Sequence, residues 1–536
     1  MNVSPPITFA IQDLQTGLEI ISRISLANPQ EAAVDLNRVL DSLLTSPPDA
    51  TIYFNLLESA RLPVSFATEQ LAKRYLNKPV PLGEIEEEVF QQVVALWLKM
   101  ARAYAHCAEK GAPDEDEESE ANHARRVAML LHRCILHTGV AIIEYQRARR
   151  ELPWGLWLDL HAYYASAEEW GVATLAIPDA LETLGRSTHC AASYVSVLLC
   201  DMAACYSLSV REQTLVYRWS TYWAPLVSLH AAQPGENLPT FVIDLMQDVA
   251  LRPAVECLQI DHIRRLDTSR LALQISQIKH QLKLKIPPAQ LSLGDDCSAG
   301  QCNRLLDHLS RPWSQARAPR KFRRHATSGV SKLCTGFEEM HYFIAGKEFE
   351  QPENVRIYNR QEFEKLFAFR HQEDPSQALQ ISQEQLAFTL DSWEVVNQSA
   401  NGFRIVRSIS GKKMAHGQLL ALCPHDGERF LLAQTTWLMQ EKGGGLIAGI
   451  KALPGVPVAI AARPRDHLGV DNGKYHRAFL LPTITSASIE QTLVLPQGWF
   501  RSGRVLELFT DGAWQVKLQH VIEDGADFER ISFVLC

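Results

Sequence analysis

The chain lacks a basic N-terminal stretch followed by an apolar run, which is the pattern of a secretory signal. It also lacks an uninterrupted apolar run of the length that crosses a bilayer. Its most apolar long stretch, Gly443 to Ala462, contains Lys451, Pro454 and Pro457, a composition typical of two short strands. We therefore expect no export and no membrane insertion.

Positive charge is not in excess either, because the 536 residues carry a net charge of −8. A surface that follows nucleic acid or an anionic membrane needs a broad positive field. The sequence therefore predicts no such partner for the surface as a whole, and any anion site has to be built locally.

Repeated cysteine spacing is absent among the 11 cysteines, whose number is odd. A disulfide framework is therefore not expected, and a reducing compartment, the cytoplasm, fits best. Cys297 and Cys302 have no matching second pair, which argues against a zinc site at these residues.

The sequence also lacks a catalytic motif. Gly443-Gly-Gly445 is not followed by Lys and Ser or Thr, so it does not match a phosphate-binding loop. His132, Cys134 and His137 have the spacing of a helix face, and we interpret them as a buried face in preference to a metal site. The sequence thus predicts a protein that is not an enzyme and that has no metal and no cofactor.

What the chain does have is length and a globular composition, with 46% hydrophobic and 21% charged residues. A prior of about 150 residues per domain predicts roughly three or four units.

Residues 1–235 show the helical period. The apolar residues that show it include Ile85, Val89, Val93, Trp97, Met100 and Tyr104. Leu152 to Ala173 weakly resembles a tetratricopeptide repeat, so this region is predicted to be a helical bundle or TPR-like, with its large aromatic side chains in the core.

The second half of the chain has a different pattern. Residues 236–315 predict a connecting α/β segment, with a strand at Thr240 to Leu245 and a helix at Ser269 to Leu284. From 316 to 466, short β-branched runs between turn residues predict an antiparallel β-barrel with an insertion near 346–385. Residues 467–536 predict a small C-terminal β-rich domain or an extension of that barrel. The predicted fold class is therefore a multidomain α + β chain.

A basic arm stands directly before the predicted barrel. It reads Arg317-Ala-Pro-Arg320-Lys-Phe-Arg323-Arg324 and holds five positive charges in eight residues. Guanidinium groups are planar forks that bind phosphate oxygens in bidentate fashion and stack on purines, so clustered arginines suit a nucleotide. Taken alone, the arm is better explained as a solvated basic linker.

A polar turn between two strands is the second candidate. Asn397 supplies a donor and an acceptor, and Ser399 adds a hydroxyl. Gly402 permits a positive φ and lets the backbone approach a ligand closely. Taken alone, the turn is equally explained as a plain hairpin.

Together the arm and the turn resemble the PilZ domain family, whose signature is Arg-x-x-x-Arg before a barrel and Asp/Asn-x-Ser-x-x-Gly on an early strand. Arg320 and Arg324 match the first half of the signature. Asn397, Ser399 and Gly402 match the second half.

The resemblance covers Arg317 to Ala462, because the strands after the turn are similar to those of the family in order and spacing. One departure is the separation of Arg324 from Asn397, which is 397 − 324 = 73 positions and longer than in a compact PilZ domain. We interpret the excess as the insertion near 346–385.

The resemblance implies a six-stranded barrel that binds cyclic di-GMP, a ligand whose two phosphates and two guanines suit arginine forks. It implies that Arg320 and Arg324 contact phosphate or guanine. It also implies that Asn397 and Ser399 hold the other guanine edge or its backbone, and that Gly402 leaves room for the ring. Candidates for auxiliary contacts are Arg317, Arg323 and Arg404.

The resemblance further implies a sensor. Ligand binding is expected to order the arm against the barrel and to change its angle to the helical half, as a population shift. The helical half is expected to contact a protein partner. The competing interpretation is a nucleic-acid-binding or scaffold protein that uses the arm for phosphate contacts, and such binding would weaken steeply with salt.

Overall fold

A computed structural model of the chain describes residues 11–110, 120–182, 185–256, 260–315, 325–352, 388–399, 402–408, 411–465, 474–485 and 488–536. The chain divides into two compact units. The first comprises Met1–Lys321 with Met439–Lys442, and the second comprises Phe322–Leu438 with Gly443–Cys536.

The first unit begins with five helices. They are α1 (Leu14–Arg23), α2 (Pro29–Thr45), α3 (Ala50–Ala72), α4 (Glu84–Lys110) and α5 (Glu120–Arg147). The side chains of Asp13, Asn28 and Asp49 cap α1 to α3 by accepting hydrogen bonds from backbone amides of the first turns. The apolar face predicted on α4 is buried in a common core, except for Ile85, which is 64% exposed.

The rest of the first unit has a second core. Its helices are α6 (Leu156–Glu169), α7 (Cys190–Met202), α8 (Val210–Trp223), α9 (Ser269–Lys283) and α10 (Ala299–Ser310). Its strands are β1 (Ser228–Ala231), β2 (Phe241–Asp244), β3 (Arg252–Pro253) and β4 (Ile263–Asp267), in the sheet order β1-β4-β2-β3. The strand predicted at Thr240 to Leu245 and the helix predicted at Ser269 to Leu284 are confirmed as β2 and α9.

The aromatic residues around α6 divide between core and surface. Trp157 and Tyr164 are buried, whereas Trp154 and Trp170 are 86% and 60% exposed. The prediction that the large aromatic residues of this segment lie in the core is therefore wrong for Trp154 and Trp170. They lie just outside the two ends of α6, so the helical period that buries Trp157 does not extend to them.

A buried ionic network ties α3 and α5 to the residues before α7. Arg61 of α3 donates to Asp179 at 2.6 Å, and their side chains are 1% and 6% exposed. Arg133 of α5 donates to Glu58 of α3 from two nitrogens, at 2.9 and 3.0 Å. Because buried charges are stable only when paired, these four side chains hold their helices in one arrangement.

The apolar helix α5 carries the histidines considered above. It is long and apolar enough to cross a membrane by length and composition alone, and most of it is buried inside the unit. The His137 ring stacks between Trp97 and Tyr104, and burial lowers the pKa of His132 and His137 well below the usual value. Within the described residues, no group of three or more His, Cys, Asp or Glu could hold a metal ion.

The second unit begins with a closed antiparallel barrel. Its elements are β5 (His325–Ala326), β6 (Val330–Thr335), α11 (Phe337–Ala345), β7 (Asp391–Ser399), β8 (Gly402–Arg407), β9 (Leu419–Cys423), β10 (Leu431–Gln440) and β11 (Leu446–Ala452). The strands run in the order β7-β6-β9-β10-β11-β8, and β8 pairs back to β7, which closes a six-stranded ring. The predicted six-stranded barrel is confirmed. Most of the predicted insertion, from residue 353 onward, lies outside the described residues.

A second closed six-stranded barrel follows. Its strands are β12 (Val458–Pro464), β13 (His476–Leu481), β14 (Thr492–Pro496), β15 (Val505–Phe509), β16 (Ala513–Asp524) and β17 (Phe528–Leu535). The C-terminal β-rich piece is thus a barrel of its own. Its first strand β12 pairs with β13 and β15, so the barrel begins before the boundary expected at 466/467. The period of a strand indicates its faces but not its partners, which are distant in sequence.

The two barrels share a buried cluster. Leu419 and Leu432 of the first barrel pack in it with Phe479 and Phe528 of the second. The backbone amide of Ala526 also donates to the carbonyl of Gly417 at 2.8 Å, and the amide of Leu419 donates to Asp527 at 2.8 Å. The shared cluster and these bonds fix the turn between β16 and β17 against the first barrel.

Removing one member of the buried ionic network should destabilise the helical unit. Asp179→Ala leaves Arg61 buried without its nearest carboxylate, which costs about 3–5 kcal/mol of unfolding free energy. The matched control is Asp35→Ala, because Asp35 pairs with Arg38 on an exposed face and such pairs contribute about 1 kcal/mol or less. Denaturant unfolding followed by far-ultraviolet circular dichroism measures both, and equal losses would contradict the interpretation.

Candidate functional site

The second half of the predicted motif lies where two strands of the first barrel meet. Asn397 and Ser399 are at the end of β7, and Gly402 begins β8, which also carries Arg404. The four arginines of the arm, Arg317, Arg320, Arg323 and Arg324, lie outside the described residues. The structure therefore describes the barrel side of the predicted site.

Strand pairing arranges the motif residues in two rows. Asn397 pairs with Arg404, which pairs with Gly449 of β11. In the next row Ser399 pairs with Gly402, which pairs with Lys451. Paired residues on antiparallel strands point to the same face, with Cβ atoms about 5 Å apart.

Both rows lie on the outer face of the barrel. Ile405 is fully buried, so the neighbouring Arg404 points outward, and it is exposed. Val395 pairs with Ile405 and is buried, and the register shifts between Val395 and Asn397. This β-bulge turns Asn397 onto the outer face beside Arg404.

The space at Gly402 is tight for a side chain. Its φ is not in the left-handed region, so the positive φ considered from the sequence is not the reason for a glycine here. A Cβ atom at this position would lie 3.2 Å from the carbonyl oxygen of Ile450 and 3.4 Å from the Ser399 hydroxyl. That hydroxyl donates to the Gly402 carbonyl at 3.3 Å, so the turn is closed by its own side chain.

Trp437 of β10 extends the site and was not singled out from the sequence. Its half-buried indole covers Gly449, where a Cβ atom would lie 1.8 Å from the indole Nε1. The Arg404 guanidinium lies 5.9 Å from the centre of the Trp437 ring. The sequence does contain one sign of this contact, Gly449, because a glycine inside a strand often marks a place where another group approaches the backbone closely.

The residue that follows the arm in the chain pairs with the motif strand. His325, which follows Arg324 in the chain, pairs with Gln398, and Ala326 pairs with Asn397. The two halves of the predicted motif are 73 positions apart in sequence, yet the residue after the arm adjoins the turn directly.

The inner face of the barrel supports this hairpin. Arg407 of β8 donates to Asp391 of β7 at 2.7 Å, and its guanidinium lies 4.7 Å from the centre of the Trp393 ring. Burial lowers the pKa of Arg407, and the Asp391 carboxylate opposes that shift. The pair anchors β7 to β8 beneath the site.

Lys451 connects the outer face with the second barrel. Its ammonium donates to the carboxylate of Glu523 on β16, and Arg530 of β17 donates to the other oxygen of that carboxylate at 3.2 Å. Burial raises the pKa of Glu523, but the bonds and charges of Lys451 and Arg530 outweigh it, so the net pKa lies below the usual value. Glu523 is therefore an ionised carboxylate at the border of the site.

The described side of the site combines four kinds of group. It offers an amide, a hydroxyl, two cations and the flat face of an indole on one outward surface. Cations and aromatic faces together suit a planar anionic ligand, because bases stack on aromatic rings while cations hold phosphate.

Three family models match separate parts of the chain. They are described as Cyclic-di-GMP receptor FimW, N-terminal domain (residues 16–234), Cyclic-di-GMP receptor FimW, middle PilZ domain (residues 240–387), and FimW C-terminal beta-barrel domain (residues 460–536). The middle match includes the arginine arm and ends 397 − 387 = 10 positions before Asn397.

The chain is also similar to a curated protein, the Cyclic-di-GMP receptor FimW of Pseudomonas aeruginosa. The two are 25% identical over 535 residues, a span that covers 92% of this chain and 85% of the relative. No solved structure matches the chain.

The contact between Gly449 and Trp437 predicts a specific effect on stability. Gly449→Ala should displace the indole and lower the free energy of unfolding by about 1–3 kcal/mol, as overpacking does. In a Trp437→Ala background the same change should have little effect, because the clashing ring is gone. Gly443→Ala is the control, since a Cβ atom there has no neighbour within 4 Å. Calorimetric unfolding measures all four variants, and an equal loss in both backgrounds would refute the contact.

Proposed function

The chain belongs to the PilZ domain family, as a multidomain member with a long N-terminal helical region, and from that premise we propose that it is a receptor for cyclic di-GMP. The observation that carries the proposal is the pair of cross-strand rows. They place Asn397 beside Arg404 and Ser399 beside Gly402 on one outward face, and His325, the residue after the arm in the chain, pairs with the same strand.

The ligand's chemistry supports this assignment. Cyclic di-GMP carries two phosphates and two guanines, and guanine presents N7 and O6 acceptors that an arginine reads in bidentate fashion. In this proposal Arg320 and Arg324 bind phosphate or guanine. Arg317, Arg323 and Arg404 give auxiliary contacts.

The barrel holds the remainder of the ligand in this proposal. Asn397 and Ser399 bind the other guanine edge or the ligand backbone, and Gly402 leaves room for the ring. The Trp437 indole, held beside Arg404, offers a face for base stacking, which contributes about 1–3 kcal/mol per base where it occurs.

The proposed role is binding and not catalysis. The matched relative is named a receptor, and the groups on the described face are ones that hold an anion and a base. We propose that the output is a change in the arm's arrangement on binding, read by a protein partner of the helical region. Because nucleotide messengers are made inside cells, the proposed location is the cytoplasm.

Binding of cyclic di-GMP should depend on the arm. Arg320→Ala and Arg324→Ala should each weaken it at least about tenfold, the effect of losing one charge-assisted hydrogen bond. Arg429→Ala, an exposed arginine on the turn between β9 and β10, is the control and should bind as the wild type. Calorimetry on the full chain measures the affinities.

The same titration should discriminate among ligands. Cyclic di-AMP should bind far more weakly than cyclic di-GMP, because adenine lacks the O6 acceptor. Unchanged affinity for cyclic di-GMP in both arginine variants would refute the proposal. Binding of a DNA oligomer that falls steeply with salt would point to backbone recognition instead.

The proposed ordering of the arm has its own measurement. Cyclic di-GMP should slow tryptic cleavage after Arg317, Arg320 and Arg324, because a population shift toward the bound state removes the arm from the protease. Cyclic di-AMP at the same concentration is the control. Equal cleavage rates with and without cyclic di-GMP would contradict the proposed switch, whatever the affinity.

A further inference from the structure

The ion pair between Lys451 and Glu523 lies at the border of the proposed ligand site. Lys451 pairs with Gly402 across β11 and β8, so its side chain leaves the same outer face as the motif residue. Ser399, Gly402 and Lys451 thus form one continuous row over three strands. A cation at the end of this row is within reach of a phosphate held by the turn.

The position of Lys451 makes its ammonium available for exchange. Its side chain is 47% exposed, whereas that of Glu523 is 17% exposed. An ion pair with an exposed member contributes little to stability, because water and salt screen it. Breaking the Lys451–Glu523 ion pair therefore costs little. A phosphate that binds Lys451 in place of Glu523 keeps most of the free energy of its own contact.

Glu523 would not be left as an unpaired buried charge by such an exchange. Arg530, whose side chain is 9% exposed, donates to its second oxygen, and Arg530 is itself held by a bond from its Nε to Thr492 at 3.0 Å. A carboxylate that loses both partners in a buried place is costly, but one that keeps an arginine is not. The charge at Lys451 also stays compensated, because a ligand phosphate replaces the Glu523 carboxylate as its partner.

We propose that Lys451 is a further ligand-binding residue, which contacts a phosphate of the cyclic dinucleotide, and that Glu523 of the C-terminal barrel competes for it. This inference rests on the proposed function. The C-terminal barrel then takes part in setting the affinity of the site, because one of its own carboxylates withholds a cation from the ligand.

The exchange would also change a contact of the C-terminal barrel when the ligand binds. Glu523 lies at a register shift of β16, where the ladder with β17 is irregular between Val521 and Glu523. The turn that follows is bonded to the first barrel through Ala526 and Asp527. Release of Lys451 breaks its ion pair with Glu523, while the bonds of Ala526 and Asp527 to the first barrel remain.

The test is a double-mutant cycle on the full chain, with cyclic di-GMP titrated calorimetrically at one salt concentration. Lys451→Ala should weaken binding about tenfold, as the loss of one charge-assisted contact does. Lys451→Arg should restore most of the affinity. Glu523→Gln should tighten binding about threefold, since it removes a weak competitor. In the Lys451→Ala background, Glu523→Gln should have no effect, because there is no ammonium left to release.

The controls separate this exchange from a general change of charge. Lys332→Ala removes an exposed cation from β6 of the same barrel, and Glu490→Gln removes an exposed carboxylate from the second barrel. Both should bind as the wild type, and thermal unfolding of every variant should show a folded chain.

Three outcomes would overturn the inference or its premise. Wild-type affinity in Lys451→Ala would remove Lys451 from the site. Equal tightening by Glu523→Gln in both backgrounds would show a long-range field in place of competition for Lys451. If the wild-type chain itself did not bind cyclic di-GMP, the proposed function would fail, and this inference with it.

Discussion

The site depends on the register in which β7, β8 and β11 pair. Side chains alternate between the faces of a strand, so a shift by one residue would turn the motif residues toward the barrel interior. The register is held from inside by Arg407, which is bonded to Asp391 and lies over Trp393. It is also held by closure, because pairing of β7 with β8 leaves neither strand as a free edge.

Much of the fold was predictable from period and turn residues. The helical half, the strand at β2, the helix α9 and the six-stranded barrel all follow from spacing or from the family resemblance. The pairing partners of each strand were not predictable in this way. The sequence therefore assigned β12 to the first barrel, whereas in the structure β12 pairs with strands of the second. Exposure was also missed at Trp154 and Trp170, because residues just outside a helix do not follow its apolar face.

The barrel side of the site was predicted by residue type, and its geometry adds the reasons. Gly402 was expected for its backbone freedom, but its φ is not in the left-handed region, and the feature that the structure shows is the close approach of the Ile450 carbonyl. Trp437 and Lys451 were missed because each reaches the site from another strand, and only the register of β10 and β11 brings them to it. The assignment of Arg320 and Arg324 stays a prediction, supported by the pairing of His325 with Gln398.

The buried cluster shared by the two barrels makes them one thermodynamic domain. Phe479 and Phe528 are fully buried against residues of the first barrel. A fragment cut between β11 and β12 would expose apolar surface on both pieces, the kind of surface that leads to aggregation. The two closed sheets should therefore unfold cooperatively. A substitution deep in the C-terminal barrel would then lower the amount of competent protein while leaving every group at the site unchanged.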